Sequence, residues 1–210
     1  MITEGFLPDI ISNNLHILFV GYNPGTLSAA TGHHYANKSN RFWKLLHESG
    51  LTTYRLDPEE DSRLLEFGYG STNIVSRTTK SAKDITAAEF KNGSIILKEL
   101  ISEIKPKIVC FVGIGVYRAF ASYIIKSRGH LTHLDSTSFT PFERGKMKIP
   151  ESTLKVQTGI QEKCLIDGII DFVCSNPSGL NTIPYSEQLE CFKNLNQLKN
   201  DILGHISTIT

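Results

Sequence analysis

Leu15-His16-Ile17-Leu18-Phe19-Val20 runs straight into Gly21-Tyr22-Asn23-Pro24-Gly25, and the fold turns on this stretch. Its apolar part is continuous rather than alternating, as a strand buried on both faces must be. The loop behind it is stiff and polar. Proline fixes φ, and glycine admits left-handed turns or close approach of backbone to a ligand. A buried strand ending in such a loop is the unit of an open α/β sheet, where ligands bind outside the carboxyl ends of strands.

The same unit recurs downstream. Lys107 to Val112 is the clearest further buried strand, and Thr72 to Val75, Thr153 to Gln157 and Ile169 to Cys174 read as others. Helical stretches lie between them. Arg41 to Ser49 puts Phe42, Leu45 and Leu46 on one face, with Asn40 as cap and Gly50 as stop. Pro58 to Leu65 follows an Asp57 cap. A helix opens at Thr86 and runs, with a break near Gly93, to about Ile104; another spans about Gly115 to Ile125. The last starts near Ser186 and lines up Leu189, Phe192, Leu195, Leu198 and Ile202. Residues 126 to 152 lack a clean period and read as irregular surface structure. The expected fold class is α/β: three α/β/α layers around a mostly parallel sheet, in one domain over residues 1–210.

Composition narrows the function. The chain has 210 residues, 40% hydrophobic and 20% charged, which excludes a disordered protein. No apolar run approaches the ~20 residues of a bilayer span, and Met1-Ile2-Thr3-Glu4 opens no secretory signal. The four cysteines include no C-x-x-C pair, and Cys110 and Cys174 sit in apolar runs. They read as reduced thiols of an intracellular protein, with no metal or cluster site. Lys and Arg total 22 against 21 Asp and Glu, a net charge of +1. That balance argues against gripping nucleic acid by bulk electrostatics. Basic residues are nonetheless local, in Arg41 to Lys44, Arg77 to Lys83 and Arg144 to Lys148, with acid gathered in Asp57 to Asp61.

A second stiff loop, Asn176-Pro177-Ser178-Gly179-Leu180-Asn181, follows the strand ending at Cys174. Each loop taken alone is also an ordinary tight turn. Gly32-His33-His34-Tyr35-Ala36-Asn37, leading to Asn40-Arg41-Phe42-Trp43, adds an aromatic ring and two imidazoles near the first strand end. An aromatic face can stack on a nucleobase for about 1–3 kcal/mol. The histidines lack metal-ligand spacing. Gly113-Ile114-Gly115 lacks the third glycine of a dinucleotide fingerprint, since Arg118 stands there, and reads as a turn into a helix.

These motifs, with Thr72-Asn73-Ile74-Val75-Ser76-Arg77-Thr78-Thr79, Lys83-Asp84 and Glu89-Phe90, occur in an order that resembles one family. It is the mismatch-specific uracil-DNA glycosylase and thymine-DNA glycosylase family, within the uracil-DNA glycosylase superfamily, and the similarity runs from about residue 15 to 200. The resemblance implies hydrolysis of the N-glycosidic bond of a flipped base, mispaired with guanine, leaving an abasic site. Asn23 matches the residue that orients the attacking water, Thr79 one that helps hold it, and His34 a histidine near the sugar and leaving group. Tyr35 matches the aromatic that stacks on the base, and Asn73 a group on the pyrimidine edge. Tyr22 stands where an aliphatic residue is usual at the pocket floor, and Ser28 falls near the pyrimidine 5-substituent, where a hydroxyl favours uracil over thymine.

Ser178, Gly179, Leu180 and Asn181 match the loop pressed into the minor groove, with Leu180 as wedge. Thr182 replaces a usual arginine there, so Asn181 is a second candidate plug. Phosphate contacts are expected from Asn40, Arg41, Lys44, Arg77, Lys80, Lys83, Arg144, Lys146 and Lys148, with helix capping the alternative for Asn40. The implied protein needs no cofactor and is a monomer acting on double-stranded DNA with a mismatched or damaged base. It would work in the cytoplasm of a prokaryote or the nucleus of a eukaryote. Two other readings compete: a non-catalytic DNA-damage binder using the same pocket, and an α/β enzyme of a small nucleotide or metabolite.

Overall fold

A computed structural model describes residues 7–127, 156–162 and 164–207. The opening strand forms as expected: β1, Ile17–Gly21, is buried along its whole length. A short helix that the sequence had not suggested, α1, Thr26–Thr31, follows the first loop and ends at Gly32 with φ 77°. α2, Phe42–Glu48, comes next. Pro58–Phe67 winds as a 3₁₀ helix behind an Asp57–Glu60 capping box, two residues longer than the helix expected from Pro58 to Leu65.

β2 is Tyr69–Asn73, not Thr72 to Val75. Gly70 and Ser71 disguise it, because neither favours a strand. The glycine is there for space: a Cβ at Gly70 would lie 2.6 Å from both Ile10 O and Leu15 Cδ1. α3, Ala87–Ile104, is unbroken. Gly93 marks no interruption but a contact, since a Cβ there would collide with Ile74 O. β3, Ile108–Val112, and α4, Ile114–Ser127, complete the next unit.

The strand expected from Thr153 to Gln157 is replaced by β4, Gly159–Ile160; residues 153–155 lie outside the described residues. Gln161 Nε2 donates to Gln157 O and Gly159 O, which curls this approach and leaves two residues to pair. β5, Ile170–Cys174, and α5, Tyr185–Ser207, close the chain.

The sheet order is β2-β1-β3-β5-β4, parallel except for β4. Alternation along the strands divides the core. Leu18, Val20, Val109, Phe111 and Val173 face α3 and α4; Ile17, Phe19, Cys110, Phe172 and Cys174 face α2 and α5. Helices therefore cover both faces in three layers, and the parallel strands all deliver their carboxyl ends to one edge. Among the described residues no helix is long and apolar enough to cross a membrane.

Candidate active site

Two segments are laced together at the carboxyl end of β1. Ile74 N–H donates to Gly21 O and Val75 N–H to Tyr22 O, each at 2.9 Å, and Thr79 pairs in parallel with Gly25. Asn23 sits in this lattice, half-buried. Its Nδ2 donates to Arg77 O at 3.0 Å and to Thr79 Oγ1 at 2.8 Å. A peptide carbonyl only accepts, so the nitrogen end of the carboxamide must face Arg77 and Oδ1 must face the other way. Thr79 is buried, and its hydroxyl also donates to Ser81 O at 2.7 Å. Thr79 therefore holds Asn23 rather than standing open to solvent.

Asn73, at the end of β2, lies beside this lattice: a Cβ on Gly21 would come within 2.6 Å of Asn73 Oδ1. Two residues back on the same face, Ser71 Oγ meets His34 Nδ1 at 3.0 Å. His34 Nε2 meets Pro8 O at 2.9 Å, which requires the proton on Nε2 and makes Nδ1 the acceptor of the Ser71 hydroxyl. Burial pushes the imidazole below its ordinary pKa, against the opposing pull of the Pro8 bond and the Asp61 and Asp9 carboxylates. His34 is thus neutral, 2% exposed and bonded at both nitrogens. Both ring nitrogens are thus committed to the protein, to Pro8 and to Ser71.

Tyr35, beside it, has φ 51°, a left-handed conformation that a non-glycine residue adopts at some cost. One face of its ring stacks on Phe42, centroids 3.7 Å apart, with Trp43 edge-on at 6.1 Å. Burial raises its phenol pKa. Asp61 pins the turn: Oδ2 accepts His34 N–H at 2.7 Å and Oδ1 lies 3.4 Å from His33 Nδ1. Buried Ser28 closes the other side, its Oγ accepting Ala36 N–H at 3.2 Å. The acidic run Asp57 to Asp61 is therefore not remote from the site, and Asp61 is part of its frame.

Tyr22 departs from its expected place. Strand alternation carries it to the α3–α4 side, opposite Tyr35, with its ring edge-on to Phe90 at 6.0 Å. A Cβ on Gly115 would overlap the Tyr22 hydroxyl, so the glycine makes room for it at the start of α4. Burial raises its phenol pKa, with Arg118 pulling the other way. Tyr22 packs over the start of α4.

The loop after β5 is tied from within. Asn176 Oδ1 accepts Ser178 N–H, Ser178 Oγ accepts Leu180 N–H, and Asn181 Nδ2 donates to Asn176 O while its Oδ1 accepts Ile183 N–H. Asn181 is committed to the loop, which removes it as a second plug. Leu180 stands 93% exposed.

The expected phosphate contacts divide. Asn40 Oδ1 accepts Phe42 N–H at 3.0 Å from just ahead of α2, whose N-cap position is Arg41 rather than the expected Asn40. The Arg77 guanidinium is bound to Glu89 and to Asp84 O, which holds the Glu89 carboxyl down at about 2, so that arginine is already neutralised. Lys44 leans toward Glu48 at 3.6 Å and over the Tyr185 ring at 4.5 Å. Arg41 donates through Nη1 to Ile183 O at 3.3 Å. Lys80 and Lys83 are exposed beside Thr79. Arg144, Lys146 and Lys148 lie outside the described residues.

The cysteines are free thiols, Cys110 and Cys174 with Sγ atoms 3.5 Å apart and Cys191 at 3.7 Å from Cys174. Among the described residues no cluster of His, Cys, Asp and Glu is arranged to hold a metal ion. Asp61, Ser71, Ser39 and Glu89 were not singled out from sequence for the site. The signal for Ser71 was its two-residue spacing from Asn73; Asp61 was hidden among the neighbouring acids of Asp57 to Asp61.

A sequence model of the Uracil DNA glycosylase superfamily matches residues 8–198. Among solved structures, a solution NMR structure from Methanosarcina acetivorans, described as a candidate uracil DNA glycosylase, matches 92% of this chain and 98% of its own. The TM-score is 0.51 at 19% identity, a likeness of fold.

Proposed function

The chain belongs to the uracil DNA glycosylase superfamily, and from that premise we propose that it is a monofunctional, mismatch-specific enzyme releasing uracil paired with guanine. The family is one of DNA glycosylases, hydrolases that act on DNA. The finer reading is carried by one observation: Asn23 is anchored through Nδ2 by Arg77 O and Thr79 Oγ1, leaving Oδ1 to accept from a water.

The chemistry follows from what an amide can do. Asn23 is no base, so it orients water and does not deprotonate it. The C1′–N1 bond breaks ahead of attack, the sugar becomes cation-like, and the base departs as an anion. Backbone N–H groups of the first loop stabilise that anion. Water adds its oxygen to C1′ and keeps one proton as the new hydroxyl, while its other proton passes through solvent to the departed base, leaving an abasic site. Thr79 is a positioning residue in this scheme.

Tyr35, backed by Phe42 on one face, offers the other to the extruded base, and its left-handed backbone is enforced by Asp61, Ser28 and His34. Asn73 reads the pyrimidine edge. Ser28 beneath the Tyr35–Ala36 turn crowds a 5-methyl group, which favours uracil over thymine. Leu180 fills the space the base vacates, and a mispaired base costs least to extrude. The substrate is duplex DNA carrying the mismatch, met by a monomer.

A base-release panel tests this reading. Matched duplexes carry uracil, thymine, ethenocytosine, hypoxanthine or xanthine opposite guanine or adenine. The expected result is fastest release of uracil opposite guanine. Release of no base at high enzyme excess, with the duplex still bound, would leave a non-catalytic binder.

A further inference from the structure

We propose that Arg41 is a strut for the loop that enters DNA: it positions Leu180 and does not contact a phosphate. This rests on the glycosylase reading of the same site. The loop between β5 and α5 is gripped at both ends by that residue. Arg41 N–H donates to Pro177 O at 2.9 Å, where the loop begins. Arg41 Nη1 donates to Ile183 O at 3.3 Å, where it ends. The buried Gln188 of α5 donates to the same Ile183 oxygen, also at 3.3 Å. Between these points Gly179 rests on Ser39, so closely that a Cβ would lie 2.5 Å from Ser39 Cβ.

The two segments form one double loop, Ser39 and Arg41 below, Gly179 and Leu180 above. Leu180 at its crest is 93% exposed, so its side chain gains little support from packing among the described residues. Its position depends on the loop beneath. A wedge works only if the stacked bases yield before the loop does, so resistance at Leu180 must pass into the fold. Arg41 carries it to the start of α2, and Gln188 carries it to α5. An arginine suits this task because its rigid fork can meet a carbonyl in a fixed geometry, which a lysine ammonium cannot reproduce. With one arm turned inward, the half-buried guanidinium is poorly placed for the two-pronged contact typical of phosphate.

The test uses the full chain with Arg41→Gln, Arg41→Lys and Gly179→Ala, the last disturbing the same seat from above. Amide exchange is read at Asn181 and Ile183, both donors within the loop, against Phe172 to Cys174 of β5 as the unmoved reference. Exchange in the loop should rise at least about tenfold in Arg41→Gln and in Gly179→Ala, with β5 unchanged. Flipping, read by 2-aminopurine beside the target uracil of a G·U duplex, should fall about tenfold. The salt slope of duplex binding should match wild type, whereas loss of a phosphate contact lowers it by about one. Unchanged loop exchange overturns the strut, and so does faster exchange with flipping intact. If wild type frees no uracil, the functional reading falls while exchange still decides the role of Arg41.

Discussion

Asn23 is a carboxamide held at one end, and the direction in which it is held separates an orienting group from a structural one. Leu180 is its opposite, a side chain with little support from packing among the described residues. Leu180→Ala should leave stability within about 0.5 kcal/mol of wild type, as for an exposed residue, while uracil release from duplex falls about tenfold. Thermal melts and single-turnover release check the two halves. His34 carries a stability prediction. Its folded pKa lies below the usual 6.5, so between those values the unfolded chain binds more protons than the folded one. Stability therefore rises with pH across that window and is lost as pH falls below about 6.5. His34→Gln, which keeps a donor for Pro8 O, should flatten the acid limb of the melting temperature against pH. An unchanged limb would place the protonation elsewhere.

At the scale of elements, the 3₁₀ turn Ala82–Asp84 and the start of α3 hold the segment that holds Asn23. Arg77 gives its carbonyl to Asn23 and its guanidinium to Glu89, and Glu89 also closes the capping box with Thr86. Glu89→Gln should cost about 1 kcal/mol through the cap and lower turnover several-fold through Asn23. Equal turnover with lowered stability would uncouple the two. Because the Glu89 carboxyl titrates only near 2, this clamp stays ionised throughout the neutral and mildly acid range. Gly93→Ala should cost about 1–3 kcal/mol, because the added Cβ meets Ile74 O head-on.

These elements also show what the sequence could and could not say. β1, β3 and β5 were legible because buried parallel strands are continuously apolar. β2 was misplaced because its glycine and serine serve neighbours, not strand propensity. Gly93 looked like a break for the same reason: its cause lies on another strand. Asn23, Tyr35 and Leu180 are proposed through the resemblance, whereas the inward turn of Tyr22 and the burial of His34 arise only when alternation and packing are assembled.

The whole molecule explains how a chain of net charge +1 can take DNA as substrate. Among the described residues Arg77 and Lys44 are drawn onto neighbouring carboxylates and Arg41 onto a carbonyl, which takes three of the expected cations away from phosphates. Duplex affinity should accordingly be modest, with a log–log salt slope of magnitude below about 4. A steeper slope would point to a broad basic footprint. Selectivity would then come from the proposed base pocket around Tyr35 and the proposed wedge Leu180. The measurement that bears most directly on this is single-turnover release of uracil from a duplex with one G·U pair, comparing wild type with Asn23→Ala. Wild type is predicted to free uracil and leave an alkali-labile site, while Asn23→Ala binds the duplex equally and releases uracil at least about a hundredfold more slowly. Equal release by both proteins, or none by wild type in excess over DNA, would contradict it.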